Sequence, residues 1–158
     1  MDEALLKYLE ARGIKYKLHE HPAVFTVAES EKMLKEKPYF HTKSLFLKDE
    51  KGNFYLVCMN AHKRLNIRNL EKKLSVKKLN FASPVELKAE LNLTPGSVSI
   101  FGMIYAKSTR LIIDRELWSA KVSGFHPNIN TATLEILHNS LEKFFNSLDC
   151  EKEIMELD

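Results

Sequence analysis

Cysteine is scarce: Cys58 and Cys150 are the only two in 158 residues, and they lie far apart in the chain. A disulfide framework is therefore not expected, which points to a reducing compartment. Cys58 sits inside the apolar run FYLVCM, where a thiol behaves as a small hydrophobe rather than as a reactive group. Long hydrophobic runs are missing as well, so no stretch is suited to span a membrane. The opening MDEALLKYLEARG interleaves charges with its apolar positions and resembles neither a signal peptide nor an anchor. A cytoplasmic protein is expected. The five glycines form no phosphate-cradling loop, and there is no nucleophile elbow, HExxH or CxxC pair. His19 and His21 would share a strand face, but no third ligand stands near them, so neither a metal nor another cofactor is expected.

What is present fits one domain spanning residues 1–158, with 44% hydrophobic and 28% charged residues supporting an ordinary core. The net charge of +3 is unevenly spread. Between His62 and Lys78 the chain carries Lys63, Arg64, Arg68, Lys72, Lys73, Lys77 and Lys78 against the single acid Glu71. Such a run is the electrostatic footprint of a nucleic-acid partner, and equally that of a solvated helix face. The last ten residues reverse the sign, with Asp149, Glu151, Glu153, Glu156 and Asp158 against Lys152.

Local signals place most elements. Asp2 is positioned to cap a helix that turns Leu5, Tyr8, Leu9 and Arg12 to one side, with Gly13 ending it. Ile14, Tyr16 and Leu18 alternate as in a strand. TVAE is a capping box that predicts a helix from Thr26 to about Lys37. Strands over Lys43 to Lys48 and Asn53 to Met59 flank the turn DEKG and make a hairpin. A basic helix over Asn66 to Leu74, a short strand in VKKLNF and a helix opened by the capping box SPVE follow, the last with Pro84 at its first position and running to about Leu91. Strands are predicted at Ser97 to Tyr105, Arg110 to Ile113 and Thr131 to Ile136, then a helix near Asn139 to Leu148. The fold class is α+β, a mixed, largely antiparallel curved sheet flanked by helices.

Three stretches stand out chemically. In FHTKSLFL, Lys43 shares a face with Leu45 and Leu47, and a buried ammonium must reach solvent, a counter-charge or a ligand phosphate. TPGSVSIFG places Gly96 in a tight turn where backbone N–H groups can approach a ligand, although most such turns only connect elements. GFHPNINTAT sets His126 at an irregular mouth ahead of Thr131 and Thr133, whose small side chains leave room for a small substrate, as they would on any exposed strand.

Taken together, HEHPAVFTVAE, HTKSLFLKDEKGNFYLV, FASPVELKAELNLTPGSVSIFG and FHPNINTAT resemble the YbaK/ProX family of aminoacyl-tRNA deacylases, most closely its free-standing prolyl-tRNA editing branch. That branch is similar to the insertion domain of bacterial prolyl-tRNA synthetases. The resemblance runs from about Leu5 to Phe145. It implies hydrolysis of the ester joining a wrong amino acid, typically alanine, to proline tRNA, with the substrate's own ribose hydroxyl helping to activate water. Lys43 aligns with the family's essential lysine, which meets the phosphate and terminal adenosine, and His126 with the histidine of its FHP segment; these two are the expected catalytic residues. Phe25, Thr26, Ser44, Gly96, Ser99, Gly102, Asn130 and Thr131 are the expected substrate-binding positions, and Lys63, Arg64 and Arg68 the expected contacts to the tRNA backbone. Three positions depart from the family pattern: Ile100 stands where the GxxxP loop has proline, Ser44 where asparagine is usual, and Leu134 where threonine is common. Other branches act on cysteinyl- or seryl-tRNA, and a non-catalytic RNA-binding adaptor would retain the same fold. The implied partner is tRNA, with a prolyl-tRNA synthetase or an elongation factor as candidate protein partners; neither membrane nor DNA is expected.

Overall fold

The computed structural model describes residues 2–21 and 39–157. Asp2 caps the first helix, α1 (Glu3–Ala11), its carboxylate accepting from the backbone of Ala4 at 3.0 Å and Leu5 at 3.2 Å. Leu5 and Leu9 are the buried side of α1, and Gly13, at φ 63°, turns the chain out of it. The strand that follows, β1 (Lys17–Glu20), is shorter than the alternation predicted. The helix expected from Thr26 to Lys37 lies outside the described residues.

β2 (Phe40–Asp49) and β3 (Phe54–Asn60) form the expected hairpin. Asp49 organises its turn: Oδ1 accepts from the backbone of Lys51 and Asn53, each at 2.9 Å, while Oδ2 accepts from the Tyr55 hydroxyl at 2.8 Å. Next come α2 (Ile67–Leu74), capped by Asn66, then β4 (Leu79–Phe81) and α3 (Pro84–Leu91), whose capping box pairs Ser83 with Glu86 as expected.

The strand expected over Ser97 to Tyr105 is instead a 3-10 helix, Ile100–Tyr105. The apolar alternation there serves a different end, because Ile100, Phe101 and Met103 all enter the core and the Ser99 hydroxyl caps the Phe101 N–H at 3.1 Å. β5 (Arg110–Asp114) runs directly into α4 (Arg115–Trp118), followed by β6 (Val122–Phe125), β7 (Ala132–Leu137), α5 (His138–Ser147) and β8 (Lys152–Met155). α4, β6 and β8 carry no strong local signal, and β8 incorporates the acidic tail.

The sheet order is β1-β7-β6-β2-β3-β5-β8, with β4 sharing the β6 side of β2 further along that strand. Four of the seven pairings among the described residues are antiparallel and three are parallel. One face carries the larger core, where Leu5, Leu91, Phe101 and Phe144 pack on Leu56, Leu111, Leu134 and Ile136. On the opposite face a smaller cluster joins Leu47, Val57, Met59 and Ile112 to Leu70 of α2. That second cluster belongs to the β2-β3-β5 half, and toward β6, β7 and β1 the side chains of this face change character.

Candidate active site

Alternation along the strands sorts the polar residues. In β7, Ala132, Leu134 and Ile136 enter the main core, so Thr133 and Glu135 project to the other side. They meet β1 there: Glu135 accepts from His19 Nε2 at 3.0 Å, and the Thr133 hydroxyl is bonded to His21 Nε2 at 2.9 Å. In β2, Phe40 and Phe46 pack on the main core, which sends Tyr39, His41 and Lys43 to the same side as Thr133. Gly124 lies beneath Tyr39, where a Cβ would come within 2.4 Å of the ring. The face of β1, β7, β6 and the first half of β2 is therefore lined with imidazole, hydroxyl and ammonium groups.

Lys43 stands at the boundary between this polar half and the smaller apolar cluster, paired in register with Met59. Its ammonium donates to the backbone carbonyl of Lys63, and no carboxylate answers its charge among the described residues. Partial burial pushes its pKa below that of an ordinary lysine. A ligand anion would restore that balance. The turn offering the carbonyl is itself anchored: Ala61 N–H donates to His41 O at 2.9 Å, His62 N–H to Asn60 Oδ1 at 2.8 Å, and Asn60 Nδ2 to Glu116 at 2.8 Å. The Lys63 ammonium pairs with the same Glu116.

β2 and β6 run parallel with His41 opposite Gly124, and the Thr42 hydroxyl donates to Gly124 O at 2.6 Å. Two residues further along each chain come Lys43, still within β2, and His126, just past the end of β6 and close enough to His21 to feel its charge. His126 is half-buried, with Nδ1 3.3 Å from the Ala132 carbonyl. A carbonyl only accepts, so the proton is on Nδ1 and Nε2 is left as the acceptor. Burial lowers the His126 pKa and nearby His21 lowers it further, against the opposing pull of that carbonyl, so the net shift favours the neutral ring.

The other expected positions divide. Asn130 and Thr131 lie on the loop between β6 and β7, where the Thr131 carbonyl accepts the His21 N–H at 2.9 Å. This loop is tied to the start of the 3-10 helix by Asn128, whose Nδ2 donates to Phe101 O at 3.4 Å and to Asp2 at 3.0 Å. Gly96 is exposed in its turn at φ 90°. Ser99 is buried as a helix cap, and Gly102 is packed against Leu91 and Leu93 in the core. Ser44 is on the opposite side of β2 from Lys43, its hydroxyl 3.4 Å from Cys58 Sγ. Phe25 and Thr26 lie outside the described residues. Lys63 is engaged with Glu116, whereas Arg64 and Arg68 are exposed. The sequence reading did not single out Tyr39, His41, His62, Asn60 or Glu116, whose significance depends on neighbours remote in the chain.

A family model described as the aminoacyl-tRNA editing domain matches residues 21–144. The chain belongs to this family. Among similar proteins, the prolyl-tRNA editing protein ProX of Acetoanaerobium sticklandii is 35% identical over 144 residues, covering 89% of this chain and 88% of its own. The prolyl-tRNA synthetase associated domain-containing protein 1 of Danio rerio is 29% identical, covering 98% and 86%. Two solved structures share the fold. One, of a hypothetical protein, has a TM-score of 0.79 at 23% identity, covering 98% of this chain and 99% of its own. The other, of a candidate trans-editing enzyme for prolyl tRNA synthetase, has a TM-score of 0.76 at 19% identity, covering 100% and 98%. Within this editing domain the matched span contains β2, β6 and β7, and hence both Lys43 and His126.

Proposed function

We propose that the protein is a trans-editing hydrolase that cleaves the aminoacyl ester of proline tRNA mischarged with alanine. The observation that carries the reading is Lys43, a partly buried ammonium without a carboxylate partner among the described residues, on the polar face of β2 in a chain of the editing family. In this reading the ammonium receives the phosphate and terminal adenosine, and His126 orients the aminoacyl end through Nε2.

An aminoacyl ester is already activated, so holding it and a water in place supplies much of the rate without a protein nucleophile. Cys58 offers none, since complete burial pushes its thiol up to about 12. Editing answers a limit on selection, because a pocket shaped for proline excludes smaller alanine by only about 1–3 kcal/mol per missing methylene. Of the sequence departures, Ile100 and Leu134 are both fully buried in the main core, so neither alters the polar face directly.

In this reading the protein works in the cytoplasm, with a synthetase or elongation factor as a candidate partner. No helix among the described residues is long and apolar enough to cross a membrane. The test is deacylation of alanyl-, prolyl-, cysteinyl- and seryl-tRNA by wild type and Lys43→Ala. Turnover of the alanyl ester alone, abolished by the substitution, is expected. Preference for the cysteinyl or seryl ester would move the substrate within the family, and binding without turnover of any ester would leave the adaptor reading.

A further inference from the structure

Four rings cross the polar face in sequence. His19 lies 5.9 Å from Tyr39 at 29° between planes, Tyr39 lies 5.0 Å from His41 at 26°, and His41 lies 5.9 Å from His62 at 38°. The series leads from β1 across β2 to the turn after β3. Tyr39 is buried within it, whereas His62 at the far end is exposed. His62 also adjoins Lys63, whose carbonyl holds the Lys43 ammonium.

Sheet order gives these groups a direction. His126 follows β6, Lys43 is on β2, His62 follows β3, and beyond it the exposed Arg64 precedes α2 and the exposed Arg68 lies in its first turn. Strands lie about 4.8 Å apart, so β6 to β3 spans about 10 Å. Two to three nucleotides, at roughly 3.4 Å or more each, cover that distance. Unpaired RNA ends are held by stacking bases on flat side chains, histidine among them, beside cationic groups that meet phosphate.

We propose that His62 is a stacking shelf for an unpaired base preceding the terminal adenosine of the substrate RNA. The assignment rests on the editing reading, in which Lys43 receives that adenosine, and adds a second nucleotide subsite. The remaining rings support His62 from behind, and the acceptor strand leaves over Arg64 toward α2. A flat ring is the requirement at position 62, rather than a positive charge.

Equilibrium binding of a short oligoribonucleotide ending in ACCA, compared with adenosine monophosphate, tests the shelf in wild type, His62→Ala, His62→Phe and Lys43→Ala. His62→Ala is expected to weaken the oligonucleotide about five- to tenfold, toward the lower end of the range for one stacked base, and to leave the mononucleotide unchanged. His62→Phe is expected to restore most of the affinity, and Lys43→Ala to weaken both ligands. Equal weakening of both ligands by His62→Ala, no weakening of either, or failure of phenylalanine to restore binding would overturn the shelf. Ester hydrolysis by the wild type then separates the two readings: a failed shelf with intact turnover leaves editing standing, and the expected binding pattern without turnover of any ester leaves an RNA-binding shelf on a non-editing protein.

Discussion

Asn128 Nδ2 donates to the carboxylate of Asp2 at 3.0 Å, joining residues 126 positions apart. The same carboxylate caps α1 and accepts the Tyr105 hydroxyl at 2.8 and 2.7 Å, so the first helix, the 3-10 helix and the loop after His126 meet at one acid. Asn128 adopts φ 64°, a left-handed conformation that asparagine tolerates better than most residues. Asp2→Ala should cost about 1 kcal/mol for the lost cap and somewhat more for the two freed donors. Asn128→Gly keeps the backbone conformation while removing the tie. Its expected effect is a small fall in melting temperature with a larger fall in deacylation, and unchanged activity would show that the loop is held by other means.

Glu116 should influence Lys43 without touching it. It accepts from Asn60 at 2.8 Å and pairs with Lys63, thereby holding the turn whose carbonyl receives the Lys43 ammonium. Both partners are substantially exposed, so Glu116→Ala should change stability by less than about 1 kcal/mol. KM for the aminoacyl-tRNA should rise several-fold with kcat little changed, and Glu116→Gln, which preserves the acceptor for Asn60, should lie between the two. A loss of stability without a change in KM would limit Glu116 to a structural role.

Stability should fall at both ends of the pH range. Burial favours the neutral form of Asp49, but hydrogen bonds from Asn53, Tyr55 and Lys51 outweigh it and hold the carboxyl below the usual value. A group with a depressed folded pKa contributes stability above its unfolded value of about 3.9, and that contribution is lost as pH falls through the folded value. At the alkaline end, burial and Asp49 push Tyr55 up to about 12. Its contribution is complete below about pH 10 and disappears as pH rises toward 12. Thermal melts across pH should therefore show acid loss that Asp49→Asn reduces and alkaline loss that Tyr55→Phe reduces, each against a lower stability near neutrality.

Gly124→Ala should disturb the polar face directly. Its added methyl would lie 2.4 and 2.6 Å from two carbons of the Tyr39 ring and 3.1 Å from Thr133 Cγ2. The ring is buried, so relief requires moving it away from β6. Overpacking of this kind costs about 1–3 kcal/mol. Lower melting temperature and weaker oligonucleotide binding are expected together, because Tyr39 supports the ring series ending at His62. Wild-type values for both would show that the ring can shift without consequence.

Chemistry carried by neighbouring residues was legible in the sequence. Asp2 before α1, the Ser83 to Glu86 box with Pro84, and the DEKG turn each specify their element through hydrogen bonds spanning a few residues. Lys43 was legible for a related reason, since its charge interrupts an apolar strand pattern. Tertiary structure decided what depends on remote partners. β6 and β8 exist because β2 and β5 offer them parallel edges, and the 3-10 helix replaces a strand because Ile100, Phe101 and Met103 find the core from a tighter turn. It also separated Ser44 from Lys43, placed Gly102 in the core, and assembled His19, Tyr39, His41 and His62 into one series of rings. No local pattern encodes that series: strand alternation fixes which residues share a face, but only the pairing of β1, β7, β6, β2 and β3 fixes which strands lie side by side.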